Sequence, residues 1–81
     1  MEITFDPRKR ATNLDKHGFD FAALDMAFFN RATIVPAKGD RLMAIGRFAD
    51  GAITVVFRPL GSEALAVISM RIASRYERTL I

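Results

Sequence analysis

Apolar residues recur along the chain with two different periods, and the changes of period mark out the elements. In MEITF, Ile3 and Phe5 fall on one face of an extended segment, which predicts a short first strand. Asp6-Pro7 then opens a helix, with Asp6 as N-cap and Pro7 at the first helical position, where a missing N–H costs nothing. Lys16-His17-Gly18 closes it: cations suit the negative end of the helix dipole, and Gly18 takes a left-handed stop. The apolar stripe of this helix is thin, chiefly Ala11, Leu14 and His17, so it is expected at the surface. In FDFAALDMAFFN, Phe21, Leu24, Ala27 and Phe28 recur at helical spacing. That predicts a second, core-packed helix capped by Asp20, stapled by Phe19 and Leu24, and ended near Asn30.

Beyond it the period falls to two. ATIVP reads as a strand ended by Pro36, and Lys38-Gly39-Asp40 as a turn. Arg41–Phe48 and Ala52–Arg58 are the next strands, with Asp50-Gly51 as the hairpin signal between them. Pro59-Leu60-Gly61-Ser62 turns the chain into a last strand, Ala64–Arg71. Leu65 and Val67 alternate with Ala66, Ile68 and Met70, so that strand reads as apolar on both faces and central. Ser74 and Glu77 have capping-box spacing and open a short C-terminal helix. The expected fold class is α+β: a largely antiparallel sheet, two N-terminal helices and a short C-terminal helix in one domain spanning residues 1–81.

The meander carries a geometric expectation. Arg47 and Arg71 come to one end of the sheet, and Arg41 and Arg58 to the other. The C-terminal helix starts at the Arg47/Arg71 end. Arg71, Arg75 and Arg78 are therefore expected to converge on an anion, most naturally a phosphate, since a guanidinium is always charged and can donate two parallel hydrogen bonds. The alternative is a solvated basic face that docks an acidic partner.

Composition narrows the chemistry. The chain has 81 residues, no cysteine, a single histidine and a formal charge of +3. A domain this small buries only about 60% of its unfolded surface and is marginally stable. Without cysteine there is neither a disulfide framework nor a thiolate zinc site, which fits a reducing cytoplasm. One histidine and scattered carboxylates give no metal site, and no cofactor motif is present. No apolar run reaches membrane-span length, and the N-terminus lacks the layout of a signal peptide. The basic balance favours nucleic acid or another acidic partner. His17 is the only side chain whose ordinary pKa lies near neutrality, so it is a candidate proton carrier or else a plain helix-end cation. Lys16 beside it is a candidate RNA contact. Tyr76 stacks on a base, donates a proton, or packs its ring on the core. Glu77 is a general base or simply half of the capping box. Arg41, Arg47 and Arg78 complete the candidate RNA-binding set.

Three stretches, in order, resemble the BrnT toxin family of bacterial type II toxin–antitoxin systems: FDPRKRATNLDKHGFDF (Phe5–Phe21), DRLMAIGRFADG (Asp40–Gly51) and VISMRIASRYER (Val67–Arg78). The shared features are the Asp6-Pro7 start, Asn13 within the helix, the Lys16-His17-Gly18 stop and the closing Ile-Ser-x-Arg-x-Ala pattern with Glu77-Arg78. The segment before the third strand is shortened to PAKGD, an arginine often found in the last strand is replaced within Ala64–Ala66, and relatives often run past Ile81. The resemblance implies a RelE-like fold and an endoribonuclease that cuts RNA without metal and inhibits translation. It also implies a small DNA-binding antitoxin as partner, with DNA met only through that complex and no membrane. Arg71 and Arg75 would then neutralise the phosphorane, His17 or Glu77 would act as base, and Tyr76 or His17 as acid. The alternatives are a non-catalytic basic binding module, or a decayed toxin that binds only its antitoxin.

Overall fold

The computed structural model describes residues 1–81. The elements run β1 (Glu2–Phe5), α1 (Pro7–His17), a 3₁₀ turn (Phe21–Ala23), α2 (Met26–Arg31), β2 (Thr33–Pro36), β3 (Leu42–Phe48), β4 (Gly51–Leu60), β5 (Ala64–Ile72) and α3 (Arg75–Arg78). The strands form one five-stranded sheet in the order β1-β5-β4-β3-β2. The pairs β2–β3, β3–β4 and β4–β5 are antiparallel, as expected, but β1 lies parallel to β5. The α+β class stands, and the sheet is mixed. The parallel pair follows from α1, which carries the chain away from β1 before the meander begins. No helix is long and apolar enough to cross a membrane.

The first helix forms as its ends dictate. Asp6 accepts from the backbone N–H of Arg8, Pro7 opens the helix, and Gly18 closes it at φ 76° while donating to the carbonyl of Leu14. The expected second helix is broken in two. Asp20 caps only the 3₁₀ turn, accepting from Ala22 N; Leu24 is extended, and Asp25 starts α2 by accepting from Phe28 N. Two aspartates five residues apart each capture a nearby N–H, and that competition interrupts the helix. Phe19 consequently packs edge-on against Phe48, with ring centroids 6.3 Å apart, and is no staple for a continuous helix.

One face of the sheet receives α2 and the 3₁₀ turn. Phe21, Leu24, Phe28, Phe29, Ala44, Ile53, Val55, Phe57, Leu65, Val67 and Met70 form the core there. Phe28, Phe29 and Phe57 meet in edge-to-face contacts of 5.3 Å, geometry that adds to the plain burial of the rings. Gly46 allows this approach: a Cβ on it would stand 3.2 Å from the Phe28 ring and 3.4 Å from Ala32.

β5 corrects the expectation of a strand apolar on both faces. Val56 pairs with Ser69, but Phe57 pairs with Val67, so Ile68 is an extra residue in a bulge. The bulge shifts the phase. Leu65 and Val67 before it and Met70 after it all enter the same core, although their parities differ. Without it, Arg71 would share the face of Leu65 and Val67 and point into the core. With it, Arg71 lies beside Thr54 on the opposite face, where α3 sits.

The hairpin turn also lies one residue earlier than its signal. Phe48 pairs with Gly51, leaving Ala49-Asp50 as the loop, and Ala49 takes φ 52°. A side chain in that region costs roughly 1–2 kcal/mol. Ala49→Gly removes the penalty and adds chain entropy to the unfolded state, so a net gain of about 0.5–1 kcal/mol is expected. Urea unfolding checks it: the midpoint should rise, and an unchanged or lower midpoint would contradict the assigned strain.

Candidate nucleic-acid interface

Asn13 is the residue that positions α1. β1 covers the outer edge of β5 only as far as the Phe5–Val67 pair. Past that point the backbone of β5 has no strand beside it. The Asn13 amide takes the strand's place: Oδ1 accepts from Met70 N at 3.0 Å, and Nδ2 donates to Met70 O at 2.9 Å. The same Nδ2 donates to Phe19 O at 3.0 Å, tying down the chain after the helix. Asn13 is the buried residue of α1, whereas Leu14, assigned to the apolar stripe, is exposed.

The helix therefore runs alongside β5 in the strand's own direction. Lys9 shares a depression with Ile68, and Asn13 is bonded to Met70. Four helical residues advance about 6 Å and two strand residues nearly the same. The two elements stay in step. Between them lies a groove of about 340 Å³ lined by Arg8, Lys9, Thr12, Asn13, Lys16, His17, Ile68 and Ser69. The helical residues are two rows at four-residue spacing, Arg8-Thr12-Lys16 and Lys9-Asn13-His17, so one face of α1 carries them. Lys9 and Lys16 have no carboxylate partner; Arg8 has a loose one, Asp6 at 3.8 Å. The groove is basic, open and served by the only imidazole of the chain.

Beyond the C-terminal end of β5, α3 is fixed by Glu77. Ser74 and Glu77 form the expected capping box, with Ser74 Oγ accepting from Glu77 N. Glu77 Oε1 accepts from Ser74 N at 2.8 Å, from Thr54 Oγ1 at 2.9 Å and from Arg71 Nη1 at 2.7 Å. Oε2 accepts from Arg71 Nη2 at 2.9 Å. Arg71, then Ser74 and Thr54, outweigh the cost of burial and hold the Glu77 carboxyl down to about 2. The same hydrogen bonding raises Arg71 above its ordinary value. A carboxylate so committed is a weak proton acceptor, and its guanidinium partner is largely neutralised. Asp20 is similarly lowered to about 2, first by its hydrogen bond from Arg10 and then by the N–H of Ala22.

The candidate residues are thus dispersed. The structure brings Lys16 and His17 together in the groove, and joins Arg71 to Glu77. No single depression gathers Arg71, Arg75 and Arg78. Arg71 is occupied by Glu77, and Arg78 borders a separate apolar depression with Phe19, Phe48 and Ile72. Arg75 and Tyr76 are exposed on α3, Tyr76 at 71%. Arg47 borders Arg31, Thr33, Gly46 and Ile81, and Arg41 borders Lys9 and Arg58. The sheet ends hold as expected, since Arg47 pairs with Ala52 and Arg58 with Ala66. Arg8, Lys9 and Thr12 were not among the candidates. Their four-residue spacing from Lys16 and His17 was the available signal, and it disappears when helices are read only for apolar stripes. No group of three or more histidine, cysteine or acidic side chains is arranged to hold an ion.

The chain as a whole is similar to known proteins. The family described as "Ribonuclease toxin, BrnT, of type II toxin-antitoxin system" matches residues 5–77. The crystal structure of the Brucella abortus ribonuclease toxin, BrnT, is 56% identical and superposes with a TM-score of 0.87, covering 93% of this chain and 99% of that one. None of the curated proteins compared with the chain matches it. The fold, the match over most of its length and the high identity together place the chain in the BrnT family of ribonuclease toxins of type II toxin–antitoxin systems.

Proposed function

We propose that the whole chain is one RelE-like toxin domain, a metal-independent endoribonuclease that cuts RNA in the cytoplasm and so inhibits translation. A small DNA-binding antitoxin would hold it in check. The observation that carries this reading is the groove along α1, where unpaired cations and the sole histidine face one strip of β5. RNA brings its own nucleophile. His17 takes the proton of the 2′-hydroxyl, the 2′-oxygen attacks the adjacent phosphorus, and the 5′-oxygen leaves with a proton from Tyr76 or solvent. The products are a 2′,3′-cyclic phosphate and a 5′-hydroxyl. Arg8, Lys9 and Lys16 balance the charge gathering on the phosphorane, as fixed cations do most effectively where little reorganisation is needed. Arg71 and Arg75 stand further along the same strand-to-helix connection. Arg71 contributes through its remaining N–H groups and Arg75 through its free charge, and Tyr76 offers an exposed ring for stacking on a base.

The test is cleavage of a defined RNA by purified protein in excess chelator. Cyclic-phosphate ends are expected. His17→Gln should slow cleavage about 100-fold, the low end for a positioned acid–base group, with unchanged thermal unfolding. Intact RNA that is nonetheless bound tightly would make the chain a binding module. A His17→Gln rate equal to the parent's would remove His17 from the chemistry.

A further inference from the structure

A second basic depression opens directly from the first. It has a volume of about 260 Å³ and is lined by Asp6, Lys9, Arg41, Arg58, Ala66, Val67 and Ile68. Lys9 and Ile68 belong to both. The three cations come from three separate parts of the chain. Lys9 lies on α1, Arg41 just before β3, and Arg58 on β4 opposite Ala66. None of them has a carboxylate within ion-pair distance. Asp6 is the one acid present, and its side chain accepts from Arg8 N as the cap of α1. The depression therefore carries net positive charge that nothing in the chain neutralises. Its floor is Ala66, Val67 and Ile68, where β5 bulges, and it leaves room for a polyanion to pass from one depression into the other.

We propose that Lys9, Arg41 and Arg58 form a phosphate subsite that holds the RNA strand at a nucleotide beyond the cleaved bond. This rests on the ribonuclease reading. It adds that the substrate is a single strand several nucleotides long, gripped at two places. Lys9 is the junction: it faces the scissile groove on one side and the anchoring subsite on the other. Because the anchored phosphate does not react, this subsite supplies binding that is equal in ground and transition states. It lowers KM and leaves kcat alone. Recognition there is by charge, so a lysine at position 58 serves nearly as well as the arginine.

The experiment measures binding of a 2′-O-methyl oligonucleotide, which cannot be cut, as a function of salt. For single strands, log affinity falls with log salt at about 0.7 per phosphate neutralised. Arg41→Ala and Arg58→Ala should each reduce that slope, by about 0.7 when combined, and weaken an octanucleotide several-fold, while leaving a dinucleotide unaffected. Arg58→Lys should restore the slope. In cleavage assays the double variant should raise KM about tenfold at unchanged kcat. A parental slope in both alanine variants would overturn the subsite even where the parent cuts RNA normally. Should the parent cut no RNA, the binding series still decides, because its probe is never cleaved. Loss of oligoglutamate binding with RNA binding intact would assign the depression to an acidic protein segment and likewise overturn the proposal.

Discussion

Glu77→Ala is expected to destabilise the fold by about 3 kcal/mol, because it removes a buried carboxylate that accepts from three separate groups, one of them the partly exposed Arg71. The substitution does more than lose the pair. It leaves Thr54 Oγ1, Ser74 N and the Arg71 guanidinium without their acceptor at one stroke. Thr54 is fully buried and cannot turn to water. Glu77→Gln keeps the shape and half the acceptor capacity but leaves Arg71 uncompensated, so a loss of about 2 kcal/mol is expected. Acid gives an independent check. The folded carboxyl lies at about 2 against an ordinary value of 4.5. A lowered folded pKa means that the stabilisation is complete above the ordinary value and is lost as pH falls through 4.5 toward 2. At 1.36 kcal/mol per unit the loss is about 3 kcal/mol. Urea unfolding measured across that window should show the parent losing stability more steeply than Glu77→Gln. Parallel curves for the two proteins would show that the titration of Glu77 does not govern the acid limb.

The cost of such a network explains what the sequence could and could not reveal about the C-terminal segment. Ser74 and Glu77 at capping-box spacing are a local signal, and the helix start formed there. Arg71 is six residues from Glu77 and belongs to a strand. Whether it faces Glu77 or the core depends on the extra residue at Ile68, and a bulge leaves no reliable mark in a run such as Ala64–Ile72. Reading strict alternation through that run gave two apolar faces and a free arginine cluster. One inserted residue replaces both with a single apolar face and a neutralised pair. Phe21, Leu24, Phe28, Leu65 and Val67 were legible as core because burial follows from spacing alone. The broken helix at Asp20 and Asp25 was not legible in outcome, since each aspartate is equally acceptable as the cap of one longer helix. The sequence resemblance, by contrast, rested on stretches dispersed through the fold, and it named the family without needing any of these details.

The same distinction applies to the groove. His17 and Lys16 were identified from the end of a helix, where their charges suit the dipole. What makes them neighbours of Ser69 and Ile68 is Asn13, more than fifty residues away in sequence from its partner. The proposed cleavage requires holding a proton carrier and several cations at fixed distances from one phosphate. A rigidly docked α1 is the physical means of doing so.

Asn13→Ala therefore tests the docking and the site together. The substitution leaves the N–H and C=O of buried Met70 without partners and frees the carbonyl of Phe19. At about 1–3 kcal/mol for each unsatisfied buried group, and with water able to reach part of the opened edge, a total loss of about 3 kcal/mol is expected. Asn13→Asp is expected to be at least as damaging. It keeps an acceptor for Met70 N but sets a carboxylate against the carbonyls of Met70 and Phe19. Hydrogen exchange separates the local from the global effect. In the parent the Met70 amide should exchange only on global unfolding; in Asn13→Ala it should exchange by local opening while the amides of β3 and β4 remain protected. Cleavage should fall further than the loss of folded protein accounts for, because α1 can separate from β5 while the sheet persists. A variant with less than about 1 kcal/mol of destabilisation and a still-protected Met70 amide would show that α1 is held by other contacts. The geometry of the groove would then need another source than this one side chain.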